Sequence, residues 1–316
     1  MLISIIVPCY NEEAMIPMFY NELCSIVDSL SNYSFEIIFV DDGSHDTSLE
    51  KMRTLSANDG RVKYISFSRN FGKESAMYAG LSMACGDLVA IMDVDLQDPP
   101  SLLPRMIHYF EEGYDSVATR RVNREGEPPI RSFFARIFYK LINKMADIDI
   151  VDGARDYRLM TRRMVDSILS MREYHRFSKG IFGWVGYRTK WIEYENIERI
   201  AGESNWSFWK LFKYAIEGIV AFTTAPLRIA SFSGIVFSAI SFIYLFYIVL
   251  NTLLWGVDVP GYASTIVIVL LIGGIQLLSI GILGEYLART YMEVKQRPIY
   301  VVKESNIEQK RKIVFC

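Results

Sequence analysis

The sequence predicts an α/β fold: a mainly parallel sheet with helices on both faces, then interfacial amphipathic helices, then a two-helix transmembrane hairpin. Three observations lead there. Short apolar runs alternate with helical stretches through the first hundred residues. Two long apolar stretches, broken by one short turn, stand between Ile229 and Leu287, the first uncharged and the second carrying only a terminal Glu285. An aromatic and basic segment, Trp206 to Ile216, precedes the first of them.

The strands come first. Ile3–Val7 is apolar except for Ser4, and Phe35–Val40, Val62–Ser66 and Leu88–Met92 repeat the pattern. A strand covered on both faces reads as a continuous apolar run rather than an alternation. Helical stretches at about Glu12–Leu30, Asp46–Ala57 and Lys73–Ala84 lie between them. That rhythm means βαβ units, since parallel neighbours need a crossover connection. The first strand has no basic stretch ahead of it, unlike a signal peptide.

Composition excludes several classes. A net charge of −2 over 316 residues leaves no basic footprint for nucleic acid. The cysteines Cys9, Cys24, Cys85 and Cys316 form no Cys-x-x-Cys pair, and the histidines are only His45, His108 and His175. A zinc site is not expected, and reduced thiols facing the cytoplasm are. No Gly-x-Gly-x-x-Gly follows the first strand, and no Gly-x-x-x-x-Gly-Lys-Ser/Thr occurs. That argues against a dinucleotide oxidoreductase and a P-loop NTPase.

Ligands of open parallel sheets bind beyond the carboxyl ends of the strands. Here those ends carry Pro8-Cys9-Tyr10-Asn11-Glu12, Asp41-Asp42-Gly43-Ser44 and Asp93-Val94-Asp95-Leu96-Gln97-Asp98. The last run places several carboxylates together at a sheet rim, where like charges oppose each other's ionisation. A hard divalent cation relieves that, and Asp93, Asp95 and the Gln97 carbonyl suit Mg²⁺ or Mn²⁺ shared with a phosphate. Asp98, ahead of Pro99-Pro100, reads instead as a helix N-cap. Tyr10 is placed to stack on a base, Asp42 to accept from a base N–H, and Lys73 after Gly72 to meet a phosphate.

A basic region follows the sheet. Arg131, Ser132 and Arg136 fall within about one helical turn of each other, beside Phe133, Phe134 and Phe138. They suit either a lipid phosphate or a solvated face. Asp156 heads an apolar stretch between Arg155 and Arg158. It is either a general base kept ionised by its neighbours or a plain ion-pair partner.

The two apolar stretches, about 229–255 and 262–287, are each long enough to cross a bilayer as a helix, which takes roughly 20 residues. The turn between them, Gly256–Gly261, has no Lys or Arg, whereas Arg228, Arg289, Lys295 and Arg297 flank the outer ends. The positive-inside rule puts both termini in the cytoplasm. The expected organisation is a catalytic domain over 1–200, juxtamembrane amphipathic helices over 201–228, the hairpin over 229–289 and a cytoplasmic tail over 290–316, whose polar and basic part after Tyr300 is expected either to be poorly ordered or to lie near anionic lipid. Gly273-Gly274, Gly281 and Gly284 would permit close helix packing in a homo-oligomer.

These residues together resemble an inverting family-two glycosyltransferase of GT-A fold. The resemblance is greatest to the bactoprenol (polyprenyl-phosphate) glucosyltransferases and more distant to dolichol-phosphate mannose synthases. It is carried by Val7–Glu12, Asp41–Ser44, Asn70–Lys73, Asp93–Pro99, Asp156–Met160, Lys179–Gly186, Ala201–Ser204, Gly284–Tyr286 and Glu293–Pro298. It implies UDP-glucose as donor, undecaprenyl phosphate as acceptor and a bacterial plasma membrane setting. It implies Pro8, Tyr10, Glu12 and Asp42 on the nucleoside, Asp93, Asp95 and Gln97 on Mg²⁺ or Mn²⁺, and Asp156 in the catalytic position. Arg131 and Arg136 would grip the acceptor phosphate. Arg155, ahead of Asp156, stands where many relatives have an uncharged or small residue, so N-acetylglucosamine, galactose, mannose or an aminoarabinose derivative stay open as the sugar. A processive polysaccharide synthase is the other enzymatic alternative, though the chain has no Gln-x-x-Arg-Trp motif.

Overall fold

The computed structural model describes residues 1–121, 151, 153–194, 220, 223–256 and 261–307. Arg131, Arg136 and most of the juxtamembrane segment lie outside the described residues. The chain divides into two compact units, one of residues 1–215 with 298–316 and one of residues 216–297.

The first unit is built on β1 (Leu2–Cys9), β2 (Ser34–Asp41), β3 (Val62–Phe67) and β4 (Leu88–Ile91), with α1 (Met15–Val27), α2 (Ser48–Asn58) and α3 (Lys73–Met83) as crossovers. Each lies within a few residues of its predicted place. The first helix starts later than Glu12 because the Glu12 carbonyl first closes a turn, accepting from Met15 N and Ile16 N at 3.0 Å each. Further along come α4 (Leu103–Glu111), β5 (Ser116–Arg121), β6 (Ala154–Thr161), α5 (Arg162–Ser170), α6 (Ser178–Trp184), β7 (Thr189–Tyr194) and β8 (Val302–Ser305).

Among the described residues the sheet runs β7-β5-β6-β4-β1-β2-β3-β8. β1 to β4 are mutually parallel where they pair. β6 enters antiparallel between β4 and β5, and β5 pairs parallel with β7. The mixed sheet therefore keeps a parallel core, and the carboxyl ends of β1, β2 and β4 share one edge with the start of β6. Both faces are covered. Ile3, Ile5 and Val7 bury against Phe19 and Leu23 of α1. On the opposite face, α3 approaches β1 so closely that a Cβ on Gly80 would come within 2.2 Å of Ile6 Cγ2. Only glycine fits there.

The tail differs from expectation. Val302–Ser305 forms β8, antiparallel to β3. Tyr300 stacks on Phe67 with ring centroids 4.9 Å apart. Glu304 accepts from Arg53 Nε at 2.9 Å and from Tyr64 Oη at 2.7 Å, and Asn306 Oδ1 accepts from Tyr64 N at 2.7 Å. The polar residues that suggested disorder are the ones that tie this strand down. A chain ending at Arg297 is expected to expose the bare edge of β3 and self-associate, as open edges do. Size-exclusion chromatography against the full chain checks this.

The second unit holds α7 (Ala225–Trp255) and α8 (Tyr262–Val294). The two helices contact each other, and Tyr286 Oη donates to Thr223 O at 2.6 Å. Two stretches, Ala225–Trp255 and Leu271–Val294, are long and apolar enough to cross a membrane by length and composition. Their apolar side chains face outward, with Ile243 70 % and Leu253 77 % exposed. A hairpin buried in a soluble core would show the reverse.

Candidate active site

The site forms at the carboxyl edge of the parallel strands, where three loops are stitched together by backbone hydrogen bonds. After β1, Asn11 N donates to Ser44 Oγ at 2.9 Å, and Asn11 Oδ1 accepts from His45 N at 2.9 Å. Glu12 N donates to Ser48 Oγ at 2.9 Å. Pro8 is buried within β1, and Tyr10 stands 41 % exposed at its end. After β2, Asp41 receives Ser44 N at 2.9 Å and Ser66 Oγ at 2.6 Å. Asp42 receives Phe71 N at 2.6 Å and Gly72 N at 2.9 Å. Its carboxylate therefore shapes the loop that enters α3, with lone pairs remaining for a further donor. Gly43 has φ +71°, and a Cβ there would lie 2.4 Å from the Arg69 carbonyl carbon. The turn requires glycine on both counts.

The acid run leaves β4 with Leu96 at φ 57°. A buried leucine rarely adopts that conformation, and such strain gathers at functional sites. It turns the loop so that Asp95, 8 % exposed, accepts from Gln97 N at 3.2 Å. Asp93 meets the Lys73 ammonium at 2.7 Å, and the same ammonium meets Asp156 Oδ2 at 2.5 Å. Lys73 thus joins the end of β4 to the start of β6. Burial would raise the Asp156 pKa, but Lys73, with Lys179 beyond it, holds the carboxyl well below the usual range. For Asp93, burial prevails over Lys73 and pushes the pKa up.

The expected N-cap role of Asp98 is not what the structure has. Asp98 is fully buried, takes Arg155 Nε at 3.0 Å and accepts from Tyr194 Oη, and the short 3-10 turn at Pro100–Leu102 has no side-chain cap. Arg155 Nη2 also donates to Gln97 Oε1 at 3.4 Å. Of the two arginines beside Asp156, Arg155 therefore serves the acid loop, and Arg158 lies over the Phe182 ring at 3.7 Å. The cation holding Asp156 comes from Lys73, far off in sequence.

Among the described residues no group of three His, Cys, Asp or Glu side chains is arranged to hold a metal ion. The donor chemistry still fits Mg²⁺ or Mn²⁺. Such ions are commonly held by one or two carboxylates plus substrate phosphates and water. Asp93, Asp95 and Gln97 carry oxygen donors of that kind, with Asp93 paired to Lys73 and the Gln97 amide oxygen accepting from Arg155 in this structure.

Sequence reasoning missed Glu74, which crosses to α6. Its carboxylate receives Ser178 N at 3.1 Å and the Ser178 hydroxyl. Burial pushes its pKa to about 7, against the lowering effect of Ser178. The folded state therefore binds this proton more tightly than the unfolded chain does. The associated stability is full below the unfolded value of about 4.3 and is lost as pH climbs through 7. Wild type is expected to melt at lower temperature at pH 8 than at pH 5, and Glu74→Gln to flatten that slope. Calorimetry across the range measures it. Asp42, pushed by burial to about 6, contributes the same sign.

Residues 4–169 match the glycosyl transferase family 2, and residues 225–290 match the GtrB C-terminal hairpin. A prophage bactoprenol glucosyl transferase homolog of Escherichia coli (strain K12) is 43 % identical over 303 residues, covering 96 % of this chain and 99 % of its own. The bactoprenol glucosyl transferase of Shigella phage SfII is 43 % identical over 306 residues, covering 97 % and 99 %. With the mixed GT-A-type sheet and the apolar helix pair, this chain belongs to glycosyl transferase family 2.

Proposed function

We propose that this protein transfers glucose from UDP-glucose to a polyprenyl phosphate at the cytoplasmic face of a bacterial plasma membrane, with inversion at the anomeric carbon. The observation that carries the reading is the Lys73 ammonium joining Asp93 to Asp156 at the carboxyl edge of the sheet, with Asp95 two residues on in the same acid loop. It occurs in a chain that also bears two membrane-length helices and resembles bactoprenol glucosyl transferases along nearly its whole length.

Pro8, Tyr10, Glu12 and Asp42 line the place for the nucleoside. Asp93, Asp95 and Gln97 would hold Mg²⁺ or Mn²⁺ against the diphosphate, where such an ion stabilises charge developing on the departing UDP. An acceptor phosphate oxygen bonds to the sugar C1 as the C1–O bond to the diphosphate breaks. A phosphate monoester, with a second pKa of about 6, is already largely ionised at neutral pH. Asp156, kept ionised by Lys73, is too weak a base to add much by taking a proton. Its place next to Lys73 suits orienting the reacting groups. Arg131 and Arg136 are proposed on the acceptor side. Arg228, Arg289, Lys295 and Arg297 flanking the helices favour both termini in the cytoplasm.

A donor competition tests the sugar. Purified protein in lipid nanodiscs receives undecaprenyl phosphate, Mg²⁺ and one labelled donor at a time: UDP-glucose, UDP-galactose, UDP-N-acetylglucosamine, GDP-mannose or a UDP-aminoarabinose. Label in the lipid phase from UDP-glucose at the highest kcat/KM is expected. A higher value for another donor replaces glucose in this reading.

A further inference from the structure

Beside the entry to α3 lies a cavity of about 310 Å³, lined by Arg69, Phe71, Gly72, Glu74, Arg176 and Ile299 among others. Its walls come from the loop after β3, the first turn of α3, the segment ahead of α6 and the strand-bearing tail. Two guanidiniums face it. Arg176 is 8 % exposed, and its Nε has no hydrogen-bond partner among the described residues. It is held in place by a hydrogen bond to Met171 O and by stacking over the Tyr78 ring at 4.5 Å. Arg69 stacks over Phe71 at 4.1 Å and donates from Nη1 to Asn70 O at 3.0 Å. Stacked guanidiniums keep their edge donors directed away from the ring, the geometry that suits phosphate.

A buried arginine with an unmet N–H is costly unless an anion completes it. The carboxylate in the wall, Glu74, lies close enough to act on Arg176 electrostatically, but it accepts its hydrogen bonds from Ser178 and leaves the Arg176 Nε–H unmet. The start of α3 adds backbone N–H groups and the positive end of a helix dipole. Position completes the case. Gly72, Glu74 and Ser75 line the cavity, while Lys73 between them sends its ammonium to Asp93 and Asp156.

We propose that this cavity seats a phosphate monoester, the reacting headgroup of the lipid acceptor, with Arg69 and Arg176 as its binding residues. The proposal rests on the polyprenyl phosphate reading of the function. It adds a seat within the described residues to the arginines at 131 and 136.

The test uses full-length protein in nanodiscs and the variants Arg69→Gln and Arg176→Lys. Arg69 is exposed, so its loss does not threaten folding, and melting curves verify both proteins. With saturating UDP-glucose, each variant is expected to raise KM for polyprenyl phosphate at least about tenfold, the scale of one lost charge-assisted hydrogen bond. UDP affinity by titration calorimetry is expected to stay at the wild-type value. Calorimetry with a water-soluble short-chain isoprenyl phosphate and with inorganic phosphate is expected to show binding to wild type that both variants weaken. An unchanged acceptor KM, or a shift confined to UDP affinity, overturns the proposal. So does a variant effect that depends only on phosphatidylglycerol in the nanodisc, which would mark a bilayer headgroup site. If wild type makes no lipid-linked sugar from any donor, the functional reading fails, and the two phosphate titrations still decide whether the cavity takes the anion.

Discussion

Asp95→Ala is expected to lower glucosyl transfer roughly a hundred- to a thousandfold, the scale seen when a group stabilising transition-state charge is removed. Asp95 lies in a loop whose path is set by Leu96 at φ 57° and by the packing of Val94 and Leu96 into the core. Each hydrogen bond lost with the carboxylate, such as the one from Gln97 N at 3.2 Å, costs about 1 kcal/mol. The apolar packing that sets the loop is untouched, so the variant is expected to stay folded while losing a metal oxygen. Asp93→Asn is the companion, because it keeps the shape and removes the charge that faces Lys73. Label in the lipid extract, read beside a melting curve, separates chemistry from folding. Undiminished turnover by Asp95→Ala in the presence of EDTA contradicts the metal assignment.

Replacing the apolar hairpin is the other large effect. Deleting everything after Ile229 would be the obvious truncation, but it also removes β8 and opens the edge of β3. Exchanging residues 225–296 for a flexible Gly/Ser linker of about 20 residues keeps the strand. That protein is expected to bind UDP-glucose with wild-type affinity. Its transfer to acceptor embedded in vesicles should fall roughly a hundredfold or more, since the helices confine enzyme and lipid to one surface. Transfer to a soluble short-chain acceptor should fall far less. Equal rates on the embedded acceptor, with and without the hairpin, contradict a role for these helices in reaching the lipid.

The parallel core was legible because its signal is local. Ile3–Val7, Phe35–Val40, Val62–Ser66 and Leu88–Met92 are apolar runs that need cover on both faces, and all four are strands. The apolar helices were legible from length alone. The later strands were not, since β5 and β7 carry polar and charged residues such as Arg120, Arg121, Lys190 and Glu193 on a sheet flank. β8 was hidden for a different reason. Its sequence, Val302-Lys303-Glu304-Ser305, has little apolar content, and its stability comes from Arg53, Tyr64 and Phe67, far away along the chain.

The acid loop was legible as a cluster at a strand end, but its internal pairing was not. Asp98 looked like a cap from its place before two prolines, yet a distant Arg155 and Tyr194 claim it. Asp156 drew its cation from Lys73 rather than from its sequence neighbours. Long-range ion pairs of this kind leave no periodic trace, and neither Glu74 nor Arg176 stood out before the fold brought α3 and α6 together.

The most direct measurement is mass spectrometry of the lipid recovered after purified full-length protein, UDP-glucose, Mg²⁺ and undecaprenyl phosphate are incubated in nanodiscs. The account predicts a single new lipid, heavier by one hexose, with UDP released in equal amount and both products absent when EDTA is added. Free glucose with unmodified lipid, or a ladder of several hexoses, contradicts it.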